Sequence, residues 1–192
     1  YNIAIGSNAL LLNTIGNNNI GIGSSAIQGN TTGTNNIGIG YQTLLCNSIG
    51  TNNIAFGDFA MYCNVSGQCN IAIGCTALCR ITCGSRNIAI GAGSMATLLG
   101  CYNDNIGIGA GTFGAATNVV GSQNIGVGTG ALAANTSGTN NVGVGYLAGQ
   151  ANQTGQGNVM VGVAAGYNNT ASWNTAVGGG NTFYANTSGT AN

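Results

Sequence analysis

Ten times, and once more in degenerate form, the same five-residue pattern recurs in phase along this chain: Asn, Ile or Val, a small residue, Ile, Val or Phe, then Gly. The copies begin at Asn2, Asn19, Asn36, Asn53, Asn70, Asn87, Asn105, Asn124, Asn141 and Asn158, with a degenerate copy, Asn-Thr-Ala-Val-Gly, at Asn174. Asn192 stands where a twelfth would open, and the intervals run 17, 17, 17, 17, 17, 18, 19, 17, 17, 16 and 18. Every complete copy keeps Asn at position 1 and Gly at position 5. A disordered Gly- and Asn-rich tract has no reason to hold such a register. The repeat is therefore structural, and residues 1–192 read as a single array.

The rest of each unit is looser but still phased. Positions 8 and 9 pair a small residue with a large apolar one, as in Ala9-Leu10, Ala26-Ile27 and Ala60-Met61. Position 12 is commonly Asn and position 15 commonly Gly. A unit this short has no room for two helices, and Gly and Asn are poor helix formers. Alternating β-branched residues favour strand instead. One unit per coil is the economical solution: an all-β, parallel β-solenoid of about eleven coils, stacked about 4.8 Å apart into a rod of about 53 Å.

Side chains alternate along a strand, so positions 2 and 4 share a face. Their Ile, Val and Phe residues, such as Ile20, Ile22, Ile54 and Phe56, are expected to fill the coil interior. Position 3 would then point outward, and it is Gly or Ala in ten of eleven copies, Met160 being the exception. Such small residues suggest that another chain packs closely there, a trimer with its axis against this face being favoured over a lone solenoid. Asn19, Asn36, Asn53 and Asn70 are expected to stack as an amide ladder. Gly23, Gly40, Gly57 and Gly74 are expected to supply a positive φ at a corner.

Composition removes whole classes of function. The chain has no His and only four charged side chains, Asp58, Arg80, Arg86 and Asp104, or 2% of its residues. General acid–base catalysis lacks its usual groups, so no enzymatic activity and no cofactor are expected. Two arginines cannot make the basic stripe that nucleic acid requires. No apolar run approaches the roughly 20 residues of a membrane span. A surface this poor in charge favours association. With no initiator Met and no signal peptide, the chain reads as a processed or trimmed piece.

The units Asn2 to Leu10 and Asn70 to Leu78, each Asn-Ile-Ala-Ile-Gly followed by x-x-Ala-Leu, resemble the head repeats of trimeric autotransporter adhesins. Similar repeats occur in tail-fibre and surface-fibre proteins of phages and large viruses. The resemblance covers essentially the whole chain and implies left-handed parallel β-rolls, three chains wide, displaying an adhesive surface. The coil here is longer than the family's usual head repeat, and no coiled-coil stalk, anchor or capping domain is recognisable. Seven cysteines are also unusual for such heads.

Cys46 and Cys63 lie one repeat apart at the same coil position. They are expected to stack within disulfide reach. Cys69, Cys75, Cys79, Cys83 and Cys101 crowd the coils that follow, and the odd total leaves at least one thiol free or paired with another chain. Buried free thiols are the alternative to disulfide stapling. A Cys-only metal site fits the spacing poorly. Six Asn-x-Ser/Thr sequons occur, at Asn30, Asn64, Asn135, Asn152, Asn168 and Asn186, all at or beside one turn. Either glycans line one edge of the rod, or Asn-Thr-Ser-Gly simply makes a good turn.

Three functions compete. The first is a structural subunit of an extracellular, cell-surface or virion-surface filament that self-assembles as a trimer, end to end, or both. The second is an adhesive head that binds a host glycan or protein through exposed Tyr41, Tyr62, Tyr146, Tyr167 and Trp173. The third, ice binding, needs a regular Thr array, whereas Thr here drifts between positions.

Overall fold

The structure, a computed structural model, describes residues 1–97, 99–114, 121–180 and 182. Each Asn-led motif forms one short strand: β1 (Ile3–Ile5), β2 (Ile20–Ile22), β3 (Ile37–Ile39), β4 (Ile54–Phe56), β5 (Ile71–Ile73), β6 (Ile88–Ile90), β7 (Ile106–Ile108), β8 (Ile125–Val127), β9 (Val142–Val144), β10 (Val159–Val161) and β11 (Thr175–Val177). They pair in parallel and in sequence order as one eleven-stranded sheet. Equivalent residues face each other, as in Ile3↔Ile20 and Val159↔Thr175, even where the coil length varies. The fold is a β-solenoid, as the repeat predicts, with coils here numbered by their strand. After each strand the chain turns, with left-handed backbone at positions 7, 9 and 17, and returns one level down.

The alternation is as expected, but its sign is inverted. Position 3 faces in: Ala55, Ala72, Ala89 and Met160 have no exposed surface. Ile20, Ile22 and Ile54 are only half-buried and Phe56 is 39% exposed, so they do not fill the interior. The core is built instead from position 9, where Leu10, Ile27, Leu44, Met61, Leu78, Met95, Phe113 and Leu132 form a buried column. The physical reason is width. One large side chain fills the coil, and a Cβ on Gly38 would already stand 2.8 Å from Ile27 Cγ1. The strand must therefore present Gly or Ala at that level and turn its Ile and Val outward.

This core carries a conformational penalty. Ile27, Leu44 and Met61 adopt φ of 51°, 52° and 50°, a left-handed conformation that costs roughly 1–2 kcal/mol per L-residue. Burying a side chain of that size returns roughly 1.5–3 kcal/mol. Burial wins, narrowly, and the column stays apolar. At the strand's end Gly23 has φ 130°, and a Cβ there would collide with the carbonyl of Gly40 in the next coil. That close approach explains why position 5 never varies.

Two Asn columns line the inside. At position 1, Asn19 Oδ1 accepts from both the backbone N–H and the Nδ2 of Asn36, at 3.0 and 3.1 Å, while Asn36 Nδ2 also donates to Gly50 O at 2.8 Å. Asn53, Asn70 and Asn87 repeat the pattern, and backbone N–H bonds to the preceding Oδ1 extend it from Asn2 to Asn174. At position 12, a second ladder joins Asn13, Asn30, Asn47 and Asn64 at 2.6, 3.0 and 2.7 Å. It stops where Ile81 takes the next place, leaving Asn64 Oδ1 buried and without a partner. Buried Ile81 and Tyr102 and a Cys83–Cys101 disulfide occupy the gap.

Candidate functional site

Turning positions 2 and 4 outward lays two columns of side chains along the whole sheet. Every member of these columns except Thr175 is Ile, Val or Phe. The strands are short, so the face is about 10 Å wide and about 50 Å long, or about 500 Å² before side-chain relief is counted. No charged side chain lies in it. Phe56, Ile73 and Ile108 each keep 38–41% of their surface open. A shallow depression lined by Tyr1, Asn2, Ile3, Asn18, Asn19 and Ile20 continues the face at the first coil. Monomers rarely expose contiguous apolar patches beyond a few hundred Å². Sequence reasoning assigned this face to the core because both faces of the strand are apolar.

The other predicted residues are distributed as follows. The ladder residues Asn19, Asn36, Asn53 and Asn70 are buried and mutually bonded, and Gly40, Gly57 and Gly74 share the positive φ of Gly23. Cys46 and Cys63 occupy equivalent places on neighbouring coils but are free thiols; the disulfide among the described residues is Cys83–Cys101, with Cα atoms 4.6 Å apart. A signal for that bridge existed in the sequence. The coil opened by Asn87 is one residue longer than its predecessors, which puts Cys101 in the column of Cys83. Asn30, Asn64, Asn135 and Asn152 point their amides inward, buried and bonded to their own turns, as in Asn135 Nδ2 to Gly138 O at 3.0 Å. At these four sequons the amide thus serves its own turn and is closed off from solvent in this fold. Asn168 is half-buried, and Asn186 and Asn192 lie outside the described residues.

The aromatics do not form one stripe, but three gather. Tyr41 meets Phe59 edge-on at 5.3 Å, and Phe59 lies 5.9 Å from Tyr62. Asp58 beside them is exposed and accepts the Tyr41 backbone N–H at 2.9 Å. Trp173 lies over Gly157, 62% exposed and away from this cluster. Arg86 and Asp104 form an exposed two-bond ion pair at 2.6 and 3.0 Å, which raises the guanidinium pKa and lowers the carboxyl's, the hydrogen bond being the leading cause of each. Burial, then the neighbouring Cys63 thiol, pushes the Cys46 and Cys79 thiols up. No group of three His, Cys, Asp or Glu among the described residues is placed to hold a metal ion. No helix among them is long and apolar enough to cross a membrane. Comparisons with protein-family models, curated proteins and solved structures found no match.

Proposed function

We propose that this chain is a structural segment of an extracellular fibre, not an enzyme, and that it self-associates through the outward Ile/Val face of its solenoid. The observation that carries the reading is the run of two apolar columns along the eleven strands, interrupted only by Thr175 in the last. Burying about 500 Å² of such surface at about 25 cal/mol per Å² gains roughly 12 kcal/mol. Association costs roughly 4–15 kcal/mol in lost freedom. The two are comparable, so only a face running the length of the rod supports a stable assembly.

The occupant that matches the face in length and in its lack of charge is a further copy of the same chain in register. Three copies around an axis against the Ile/Val columns would bury it on every chain, the arrangement that the resemblance to trimeric adhesin heads implies. The Asn ladder and strand pairing that join coils within the chain are also the contacts through which successive copies would stack end to end. Analytical ultracentrifugation of the chain and of an Ile71→Lys, Ile88→Lys double variant tests this. The reading requires a defined oligomer for the parent and a folded monomer for the variant. A parent chain that remains monomeric at micromolar concentration refutes it.

An adhesive role is the second reading, and the Tyr41, Phe59 and Tyr62 cluster beside Asp58 favours it. Clustered aromatics with an adjacent carboxylate suit a neutral saccharide, whose C–H faces pack on rings while its hydroxyls donate to the carboxylate. A glycan array on the assembled protein, repeated with Tyr41→Ala, tests it; binding unaffected by the substitution argues against this cluster.

A further inference from the structure

We propose that Cys46, Cys63 and Cys79 form a thiol–disulfide exchange site in which Cys63 is the shared sulfur, bridged to Cys46 in one state and to Cys79 in the other. This site does not depend on the assembly proposed above. Cys46 and Cys63 hold the same position in coils 3 and 4, and Cys79 lies in coil 5 one position earlier, where Arg80 continues their column. The Cys46 N–H donates to Tyr62 O at 3.0 Å and the Cys63 N–H donates to Cys79 O at 2.9 Å. The three backbones are thus fixed on successive levels. A coil spacing of about 4.8 Å for the stacked Cys46 and Cys63, and about 5.8 Å for Cys63 and Cys79 once the one-residue offset is added, both fall inside the Cα range of roughly 4.4–6.8 Å that a disulfide accepts. The chain already makes one bridge of this kind, since Cys83 and Cys101 join coils 5 and 6 at a Cα separation of 4.6 Å.

All three are free thiols in the structure. Cys46 is exposed and Cys63 and Cys79 are half-buried, so a small reagent reaches them. Cys79 Sγ donates to Ala96 O at 3.3 Å, a bond that is given up when it pairs with Cys63. In the first step Cys46 and Cys63 lose two protons and two electrons to a low-molecular-weight disulfide, which is reduced to two thiols. In the second the Cys79 thiolate attacks the Cys63 sulfur and displaces the Cys46 thiolate, which takes up a proton, so the bridge moves by one coil without further oxidant. The attacking species is the thiolate. Exchange therefore quickens with pH, under the influence of Arg80, Cys75 and Cys63, the groups whose charge acts on Cys79.

The test is non-reducing peptide mapping after one equivalent of oxidised glutathione per chain at pH 8.5, with quenching in acid. Cys46–Cys63 and Cys63–Cys79 linked peptides are both expected, each lighter than its reduced pair by two hydrogens. Cys63→Ser should show neither; Cys46→Ser should keep only the Cys63–Cys79 link, and Cys79→Ser only the Cys46–Cys63 link. The persistent Cys83–Cys101 link and an unchanged circular dichroism spectrum report that each variant is folded. Glutathione adducts alone, a Cys75–Cys79 link in place of those to Cys63, or loss of both links in either flanking variant would overturn the proposal.

Discussion

Met160 occupies the interior space that Gly166 leaves open: a Cβ added at Gly166 would stand 2.7 Å from Met160 Cγ. The same side chain reaches the coil before, where a Cβ on Gly149 would meet its Cε at 2.6 Å. In the first eight coils position 9 carries the large residue and position 3 is Gly or Ala. In coils 9 and 10 position 9 is Gly, and Met160 at position 3 fills both levels. The one exception in the strand motif thus keeps the core volume constant by supplying it from the opposite wall.

This exchange can be reversed. Met160→Ala opens a cavity and should cost about 2–5 kcal/mol, the range for large-to-Ala core changes. Gly166→Leu alone should also destabilise, by overpacking. Together they should recover much of the loss, because Leu132 already holds position 9 at φ 51° while Gly166 stands at φ 59°. Urea denaturation of the two single variants and the double variant measures the coupling; strict additivity would contradict the exchange.

The Asn ladder gives a second prediction. Asn53 accepts from the N–H and Nδ2 of Asn70 and donates to Asn36 Oδ1 and Gly67 O, all in the interior. Asn53→Ala strands several of these groups, and each buried polar group left unsatisfied costs about 1–3 kcal/mol. A loss of about 3 kcal/mol or more is expected on that basis. Asn17, exposed with one bond to Ile15 O, should tolerate Ala within about 0.5 kcal/mol. Comparing the two denaturation midpoints checks the contrast.

Inside and outside on the strand can be distinguished by one adjacent pair. Ala72 is fully buried and Ile71 beside it is half-exposed. Ala72→Leu should destabilise by about 1–3 kcal/mol through overpacking. Ile71→Gln should cost the folded chain less, and its main effect should be on self-association. Thermal melts run alongside sedimentation separate the effects, and the opposite ranking would return the aliphatic columns to the interior.

Stability should be flat between about pH 5 and 8 and fall in alkali. The chain has no His to titrate in that window. Cys46, Cys79 and Tyr102 have raised pKa values, with burial the leading cause of each. Above roughly pH 8.5 the unfolded chain therefore releases protons that the folded chain retains, and stability drops with rising pH. The Asp104 carboxyl, lowered by Arg86, works in the other direction: its contribution is present above the ordinary carboxylate range and is lost only as pH falls through its depressed value. Melting temperatures across pH 4–10 test the asymmetry.

What was legible in the sequence is whatever depends on repetition. Equal spacing of Asn, Ile and Gly dictates one strand per unit, parallel order and in-register pairing. Stacked copies of one residue then form ladders, so Asn19, Asn36, Asn53 and Asn70 bond as expected. These are consequences of translation along one axis, and no knowledge of the coil's cross-section is required.

Which face of each strand is inside could not be read in that way, because the period-two pattern sets Ile and Val against Gly and Ala, with Thr175 alone to mark the solvent side. The choice rests on the coil's width. The left-handed turns at positions 7 and 9 place Ile27 or Leu44 at the level of the strand and leave room there for Gly or Ala alone. The same closure directs Asn30 and Asn64 inward, where their amides bond to the coil above and to their own turn. The sequence by itself determined the repeat and its register; the tertiary structure decided what each repeat encloses, because packing in a narrow coil depends on residues facing one another across it.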